Sequence, residues 1–327
     1  MFIDEFSAFS GKKVLVTGGT GLIGRQVVRL LCDHHALVTV VSLDEVKVDQ
    51  RAEHVFADLT ELSTCLDVIR GQDFVCHLAG IKGSIDVTMK YPASFLVPLL
   101  MFNTNVIEAA RRCGIERLVY TSSIGAYSSS EVFVESNGNS GEPMDTYPGH
   151  AKRMAELQIQ AYKQQYGLTG YSVVRPCNVY GPGDNFDPDN AMVIPTLMYR
   201  IANKENPVLV WGDGSAIRDF AFSTDVAVGI LQTLLKGTGN HPFINLGSGK
   251  GYSVKELVET LASFIDFRYQ FDCSKPSGFP KRVMDISLAS ELVGYQHNTS
   301  LLTGLKQTWA WFLENRDEYR HKKNYFR

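Results

Sequence analysis

The stretch Val14-Leu15-Val16-Thr17-Gly18-Gly19-Thr20-Gly21-Leu22-Ile23-Gly24 decides how this chain is read. An apolar, β-branched run stops at glycines spaced G-x-x-G-x-x-G. A helical pattern follows, with Ile23, Val27, Leu30 and Leu31 on one face. Glycine suits such a turn because it accepts positive φ and lets an anion approach the backbone. The free N–H groups and positive dipole end of the next helix would face that anion. The spacing is a variant of the fingerprint that opens a βαβ dinucleotide unit. Gly18, Gly21, Leu22, Ile23 and Gly24 are therefore expected at the diphosphate.

Outward from that turn, Leu37–Ser42 supplies a second strand and completes strand–helix–strand. Asp44 follows it, suited to hydrogen-bond the ribose hydroxyls and to repel a 2′-phosphate, and no arginine stands beside it. This favours NAD, with NADP the alternative. His54–Ala57 reads as a third strand leading to Asp58 and Leu59 at the adenine. Phe74–Leu78 reads as a fourth, with Leu78, Ala79 and Gly80 allowing close passage of a cofactor. Asn105–Arg112 reads as a helix, and Arg117–Thr121 as a strand delivering Ser122 and Ser123 at its end. Strands alternating with helices predict an α/β fold, a doubly wound parallel sheet of the Rossmann kind.

Residues 128–149 read as a polar loop, with a helix from Ala151 to near Gly167 and a strand at Tyr171–Arg175. The texture changes from Cys177 to Asp219, which suits a smaller, loop-rich lobe. Val226–Leu235, Val254–Phe264 and Leu301–Asn315 read as helices, and Phe243–Leu246 as a strand. The expected division is a dinucleotide domain of residues 1–178 plus about 220–248, and a substrate-binding lobe of 179–219 and 249–327.

Composition excludes some partners. Across 327 residues the formal net charge is −3, which gives no reason to expect nucleic acid or an anionic membrane. Met1–Ser10 carries acids where a signal peptide needs a basic region, and no apolar run reads as long enough to span a bilayer. The six cysteines are scattered without C-x-x-C pairs or matching histidines, the pattern of thiols in a reducing compartment rather than disulfides or a metal site. A cytoplasmic protein is expected. The basic, aromatic tail Arg320–Arg327 reads as solvated.

Further along, Thr121-Ser122-Ser123, Ala151-Lys152-Arg153-Met154, Arg175-Pro176-Cys177-Asn178-Val179-Tyr180-Gly181-Pro182 and Arg218-Asp219-Phe220 join the glycine turn in one pattern. Together they resemble the extended short-chain dehydrogenase/reductase family in its nucleotide-sugar branch, over nearly the whole chain. Within that branch, Gly183-Asp184-Asn185-Phe186, Val193-Ile194-Pro195 and Trp311-Phe312-Leu313-Glu314-Asn315 are similar to the GDP-L-fucose synthase family, epimerase-reductases of GDP-4-keto-6-deoxy sugars. The resemblance implies hydride exchange with NAD(P), a catalytic serine at Ser123, and a lysine at Lys152 that lowers the pKa of a tyrosine four residues earlier.

The chain departs from that pattern where it matters. Pro148, not tyrosine, stands four residues before Lys152, and Tyr147 is one position early. A one-residue slip on a helix turns a side chain by about 100°. Either the Pro148-Gly149 turn redirects Tyr147 into the site, or the site works without its tyrosine. The epimerase cysteine and histidine implied by the resemblance are replaced by Gly125 and Met192, so simple redox at one carbon, C4, is what remains. For the substrate, the resemblance implies Asn178 and Arg218 at the diphosphate, Val193 and Trp211 beside the nucleoside, and Lys281 and Arg282 as further positive charge. Ordinary core packing is the competing reading of Trp211. The expected partners are a GDP-linked hexose or heptose of surface-polysaccharide synthesis and a second copy of the chain. A nucleotide-sugar epimerase and a catalytically impaired cofactor-binding protein are the alternatives.

Overall fold

The structure is a computed structural model that describes residues 5–81, 83 and 85–322. The run Lys13–Thr17 forms β1, buried from Val14 onward, as a strand covered on both faces requires. After the glycine turn, α1 (Leu22–Asp33) buries Val27, Val28, Leu31 and Cys32. There follow β2 (Leu37–Ser42), β3 (Glu53–Phe56), α2 (Leu62–Ile69), β4 (Phe74–His77), α3 (Ile85–Lys90), α4 (Pro92–Arg112) and β5 (Arg117–Thr121). Next come the short β6 (Val132–Phe133), α5 (Thr146–Tyr166), β7 (Tyr171–Pro176), β8 (Asn178–Tyr180), α6 (Val193–Ala202) and β9 (Val208–Trp211). Then β10 (Ile217–Phe222), α7 (Ser223–Lys236), β11 (Ile244–Leu246), β12 (Gly251–Ser253) and α8 (Val254–Ala262) follow. The chain ends through β13 (Tyr269–Asp272), β14 (Lys281–Met284), α9 (Ser287–Val293) and α10 (Leu301–Glu314).

Seven parallel strands form the main sheet in the order β11-β7-β5-β4-β1-β2-β3. The chain winds one way from β1 through β2 to β3, then returns to β4 on the other side of β1. That reversal opens a crevice at the carboxyl ends of β1 and β4, the place where ligands bind in doubly wound sheets. A smaller sheet, with β10 between β12 and β14 and joined by β8, and a β9–β13 pair belong to the second lobe.

Two apolar clusters fill the molecule. The first lies around the main sheet. The second joins α6, β9, β10, α8 and α10 through Leu197, Val210, Phe220, Leu257 and Leu305. Ala289, Val293 and Tyr295, grouped by the sequence boundaries with the second lobe, pack into the first.

Two stretches differ from the sequence reading. α4 starts at Pro92, well before Asn105. Among the described residues it is the one helix long and apolar enough, by length and composition, to cross a bilayer. It buries Phe95, Leu99, Val106 and Ile107, with α2 and α5 packed against it. α5 starts at Thr146, inside the expected loop.

Candidate active site

A cleft of about 880 Å³ runs along the carboxyl ends of the main-sheet strands and continues into the second lobe. Gly18 sits at φ +67°, and a Cβ there would lie 2.7 Å from Ala79 Cα. A Cβ on Gly24 would lie 2.2 Å from Gly18 O, so only glycine lets α1 start this close to the turn. The amides of Leu22, Ile23 and Gly24 fall in the first turn of α1, where no intrahelical acceptor exists, and the cap residue Gly21 has no side chain to cover them. Thr20 Oγ1 donates to Asp44 Oδ2 at 2.7 Å, and Ser42 Oγ accepts from the Asp44 amide at 3.0 Å, which fixes the carboxylate at the end of β2. Residues Gly18, Gly21 through Gly24, Asp44, Asp58, Leu59, Leu78, Ala79 and Gly80 all line this cleft. The cradle fits a dinucleotide: bare amides for its diphosphate and a held carboxylate for a ribose.

Beneath it, Thr17 Oγ1 accepts from the amides of Leu78 and Ala79 and lies 2.7 Å from His77 Nδ1. With both lone-pair sites taken, the hydroxyl proton goes to Nδ1, and Nε2–H donates to Asn103 Oδ1 at 3.0 Å. Burial, reinforced by the Lys152 charge, pushes His77 down to about 3, so it is a neutral structural group.

The side chains expected to be reactive, Ser123 and Lys152, lie across the crevice. Ser123 lies two residues past the end of β5 and caps the short turn Ile124–Ala126, its Oγ accepting from the Gly125 amide at 3.0 Å. Lys152 Nζ donates to Thr121 O at 2.7 Å and lies 5.2 Å from the Tyr120 ring centroid. Burial lowers Lys152 to about 8, with Glu156 opposing. Ser122 points the other way and donates to buried Glu156 at 2.5 Å. Glu156 in turn accepts two bonds from buried Arg175, at 2.9 and 2.6 Å. Asp145, at the start of α5, also lines the cleft; its position was not read from the sequence.

Tyr147 does not join them. Because α5 is already helical from Thr146, the Pro148-Gly149 pair makes no redirecting turn, and the one-residue slip stands. Pro148 and Gly149 face the cleft, whereas Tyr147 is 40% exposed and absent from its lining. Tyr127 is no substitute, being buried with its hydroxyl donating to Asn245.

On the second lobe, Asn178, Val193 and Arg218 line the same cleft. Strand alternation explains Arg218: its neighbour Asp219 is buried and accepts from Ser248, Gly249 and Met284, which pins β10 in place. Three expected substrate residues lie outside the lining. Trp211 is 59% exposed, because β9 alternates with Val208 and Val210 inward and Leu209 and Trp211 outward. Lys281 pairs in register with Ile217 and so falls on the opposite face from Arg218. Arg282 is in register with Arg218 and adds charge from behind the lining, helping to lower Arg218 from its ordinary value after burial.

Within the tail Arg320 is exposed, as expected, but Lys322 is mostly covered. Lys322 Nζ donates to Gly183 O at 3.1 Å, Glu318 pairs with Arg25 at 2.5 Å, and Arg320 and Lys322 line the cleft mouth. Residues 323–327 of that tail, like 1–4 at the other end, lie outside the described residues. All six cysteines are free thiols. Among the described residues, no group of three or more His, Cys, Asp or Glu is gathered as metal ligands would be.

Residues 14–247 match the family described as the NAD dependent epimerase/dehydratase family. Over 324 residues the chain is 33% identical to a probable GDP-L-fucose synthase 1 of Oryza sativa subsp. japonica, covering 95% of each. It is 32% identical to the GDP-L-fucose synthase of Escherichia coli K12, covering 95% of this chain and 99% of that one. Among solved structures, an epimerase from Methanothermobacter thermautotrophicus superposes with a TM-score of 0.87 at 26% identity, covering 98% of this chain and 97% of that one. With the glycine cradle, the crevice at β1 and β4, and Ser123 and Lys152 across it, the chain belongs to the NAD dependent epimerase/dehydratase family of extended short-chain dehydrogenase/reductases and is an NAD(P)-dependent enzyme.

Proposed function

We propose that this enzyme is a nucleotide-sugar oxidoreductase that transfers hydride at C4 of a GDP-linked hexose or heptose, as a 4-dehydrogenase or 4-keto reductase, in surface-polysaccharide synthesis. The observation that carries the reading is one continuous cleft. The dinucleotide cradle, the Ser123–Lys152 pair, and Asn178, Val193 and Arg218 all open onto it. The names of the fucose synthases support guanosine as the base, and the acid at the end of β2 supports NAD over its 2′-phosphate analogue.

Bound NAD(P) supplies the hydride acceptor or donor. The amides at the start of α1 would hold its diphosphate, and Asp44 would hold a ribose. Lys152, at about 8, stays mostly protonated at neutral pH. One of its protons is committed to Thr121 O, leaving two for a ribose oxygen or a water. Ser123 presents a hydroxyl to the reacting sugar oxygen. Arg218 offers the planar fork that pairs with a diphosphate. Gly125 and Met192 carry no ionisable group, so an epimerase step through those positions has no place in the scheme.

The test adds GDP-linked, UDP-linked and dTDP-linked sugars to NAD-loaded protein and follows the nicotinamide absorbance. A change with GDP-sugars alone is expected; no change with any of them would exclude the oxidoreductase reading. Calorimetry that prefers NADP would exclude the role given to Asp44. The partner copy is expected on α4 and α5, which pack together and expose Val97, Met101, Met154 and Leu157. A monomer in sedimentation velocity would rule that out.

A further inference from the structure

The cleft face of α5 carries Asp145, Pro148, Gly149 and Lys152, at helical spacings of three, four and seven. Asp145 occupies the N-cap position, where aspartate ordinarily accepts a bond from the first amides of a helix. Its side chain makes no such bond. The carboxylate lies instead against Gly125, so close that a Cβ there would fall 2.1 Å from Oδ2. The amide of the same glycine donates to Ser123 Oγ, so Asp145 and Ser123 meet at one residue. Both line the cleft, and the Asp145 carboxylate, set against Gly125 while the residue as a whole stays open to the cleft, has no hydrogen-bond partner among the described residues. Pro148, between Asp145 and Lys152, has nothing to ionise.

We infer that Asp145 is the acid–base residue of this reaction, taking the proton of the reacting sugar hydroxyl on oxidation and returning it on reduction. The inference rests on the oxidoreductase reading above. On oxidation the O–H bond breaks and its proton passes to Asp145. The electron pair left on oxygen closes the C=O bond, and the C–H pair leaves with its hydrogen as hydride to the nicotinamide. The protonated carboxyl then exchanges with solvent through the open cleft. Ser123 holds the sugar oxygen from the other side of Gly125. Desolvation in the cleft raises the Asp145 carboxyl above its ordinary value, with Arg282 of β14 opposing. A higher value makes the carboxylate a better proton acceptor.

Single-turnover hydride transfer would be measured with GDP-mannose and with its 4-keto-6-deoxy derivative. Wild type, Asp145→Asn and Asp145→Glu would be compared. The Asn variant should be slower by about 10²–10⁴-fold, with partial recovery in the Glu variant. GDP affinity by calorimetry should stay within roughly threefold, since uniform binding is untouched. In protein carrying ¹³C at its aspartate carboxyls, the resonance missing from Asp145→Asn should move when GDP-mannose is added and stay still with GDP. An Asn variant within roughly threefold of wild type, or a resonance that ignores the sugar, overturns the inference. A wild type whose resonance responds to the sugar but which transfers no hydride overturns the oxidoreductase reading and the proton step with it, while the sugar contact stands.

Discussion

Pro148 decides the chemistry at the scale of single residues. A side chain at that position faces the cleft four residues before Lys152, and proline fills it without a proton to give. Tyr147, displaced from that face and 40% exposed, does not line the cleft. Tyr147→Phe should therefore leave single-turnover hydride transfer within roughly twofold of wild type, because the lost hydroxyl touches no transition state. A fall of about 10²-fold or more would reinstate it as an acid–base group. Lys152→Met should instead remove most of the activity, while circular dichroism shows an intact fold, since methionine keeps the helix propensity. Gly125→Ala is a third probe. Its Cβ would drive into the Asp145 carboxylate, so the side chain must turn out of the site. Loss of activity with nucleotide affinity preserved is the expected result.

At the scale of elements, α5 does two jobs along one face. Its first turns bring Asp145 and Lys152 to the cleft, and one turn further on Glu156 meets Arg175 in the core, where the guanidinium stacks 3.7 Å from the Phe243 centroid and 4.5 Å from that of Tyr127. Removing one partner of a buried pair leaves an uncompensated charge, at a cost of about 3–5 kcal/mol. Glu156→Ala should lower unfolding stability in urea by that order, and a change below about 1 kcal/mol would mean the pair is not the anchor. The strands and α1 were legible in sequence because apolar runs bounded by glycine leave few alternatives. The first turn of α5 was not. Thr146-Tyr147-Pro148-Gly149 has the composition of a loop, and it is helical because non-local bonds fix its entrance. The Met144 amide donates to Tyr127 O and the Asp145 amide to Gly125 O. The same holds just before the tail, where Glu318 finds Arg25 across most of the chain length, a pairing no local pattern records. Trp211 and Lys281 fall outside the cleft lining because a motif gives a residue's neighbours in sequence, whereas strand alternation decides which way each side chain points.

Across the whole molecule, the cleft depends on a neutral polar chain at its floor, and that dependence has a pH signature. His77 is fully buried, tied to Thr17 and Asn103, and held down to about 3 by burial and the nearby Lys152 charge. In the unfolded chain it returns to its ordinary value of 6.5. As pH falls through 6.5 the unfolded chain takes up a proton that the folded chain refuses until about 3. The unfolded state thus binds more protons throughout that window, and stability falls with falling pH. Above 6.5 both forms are neutral and the contribution is constant. One proton of difference corresponds to a slope of about 1.4 kcal/mol per pH unit. His297, lowered by burial despite Asp225, adds a slope of the same sign. Glu108, held down to about 2 chiefly by its hydrogen bond from Arg111, adds its own loss only below the ordinary carboxylate value of 4.5. Between pH 6.5 and 4.5 the histidines can therefore be read apart from Glu108. Urea unfolding across that range should show wild-type stability declining steeply. His77→Gln removes the titrating ring, so it should start less stable and decline with a slope shallower by nearly one proton. An unchanged slope in His77→Gln would mean that His77 titrates in the folded protein, and that the floor of the cleft is not the neutral chain described here.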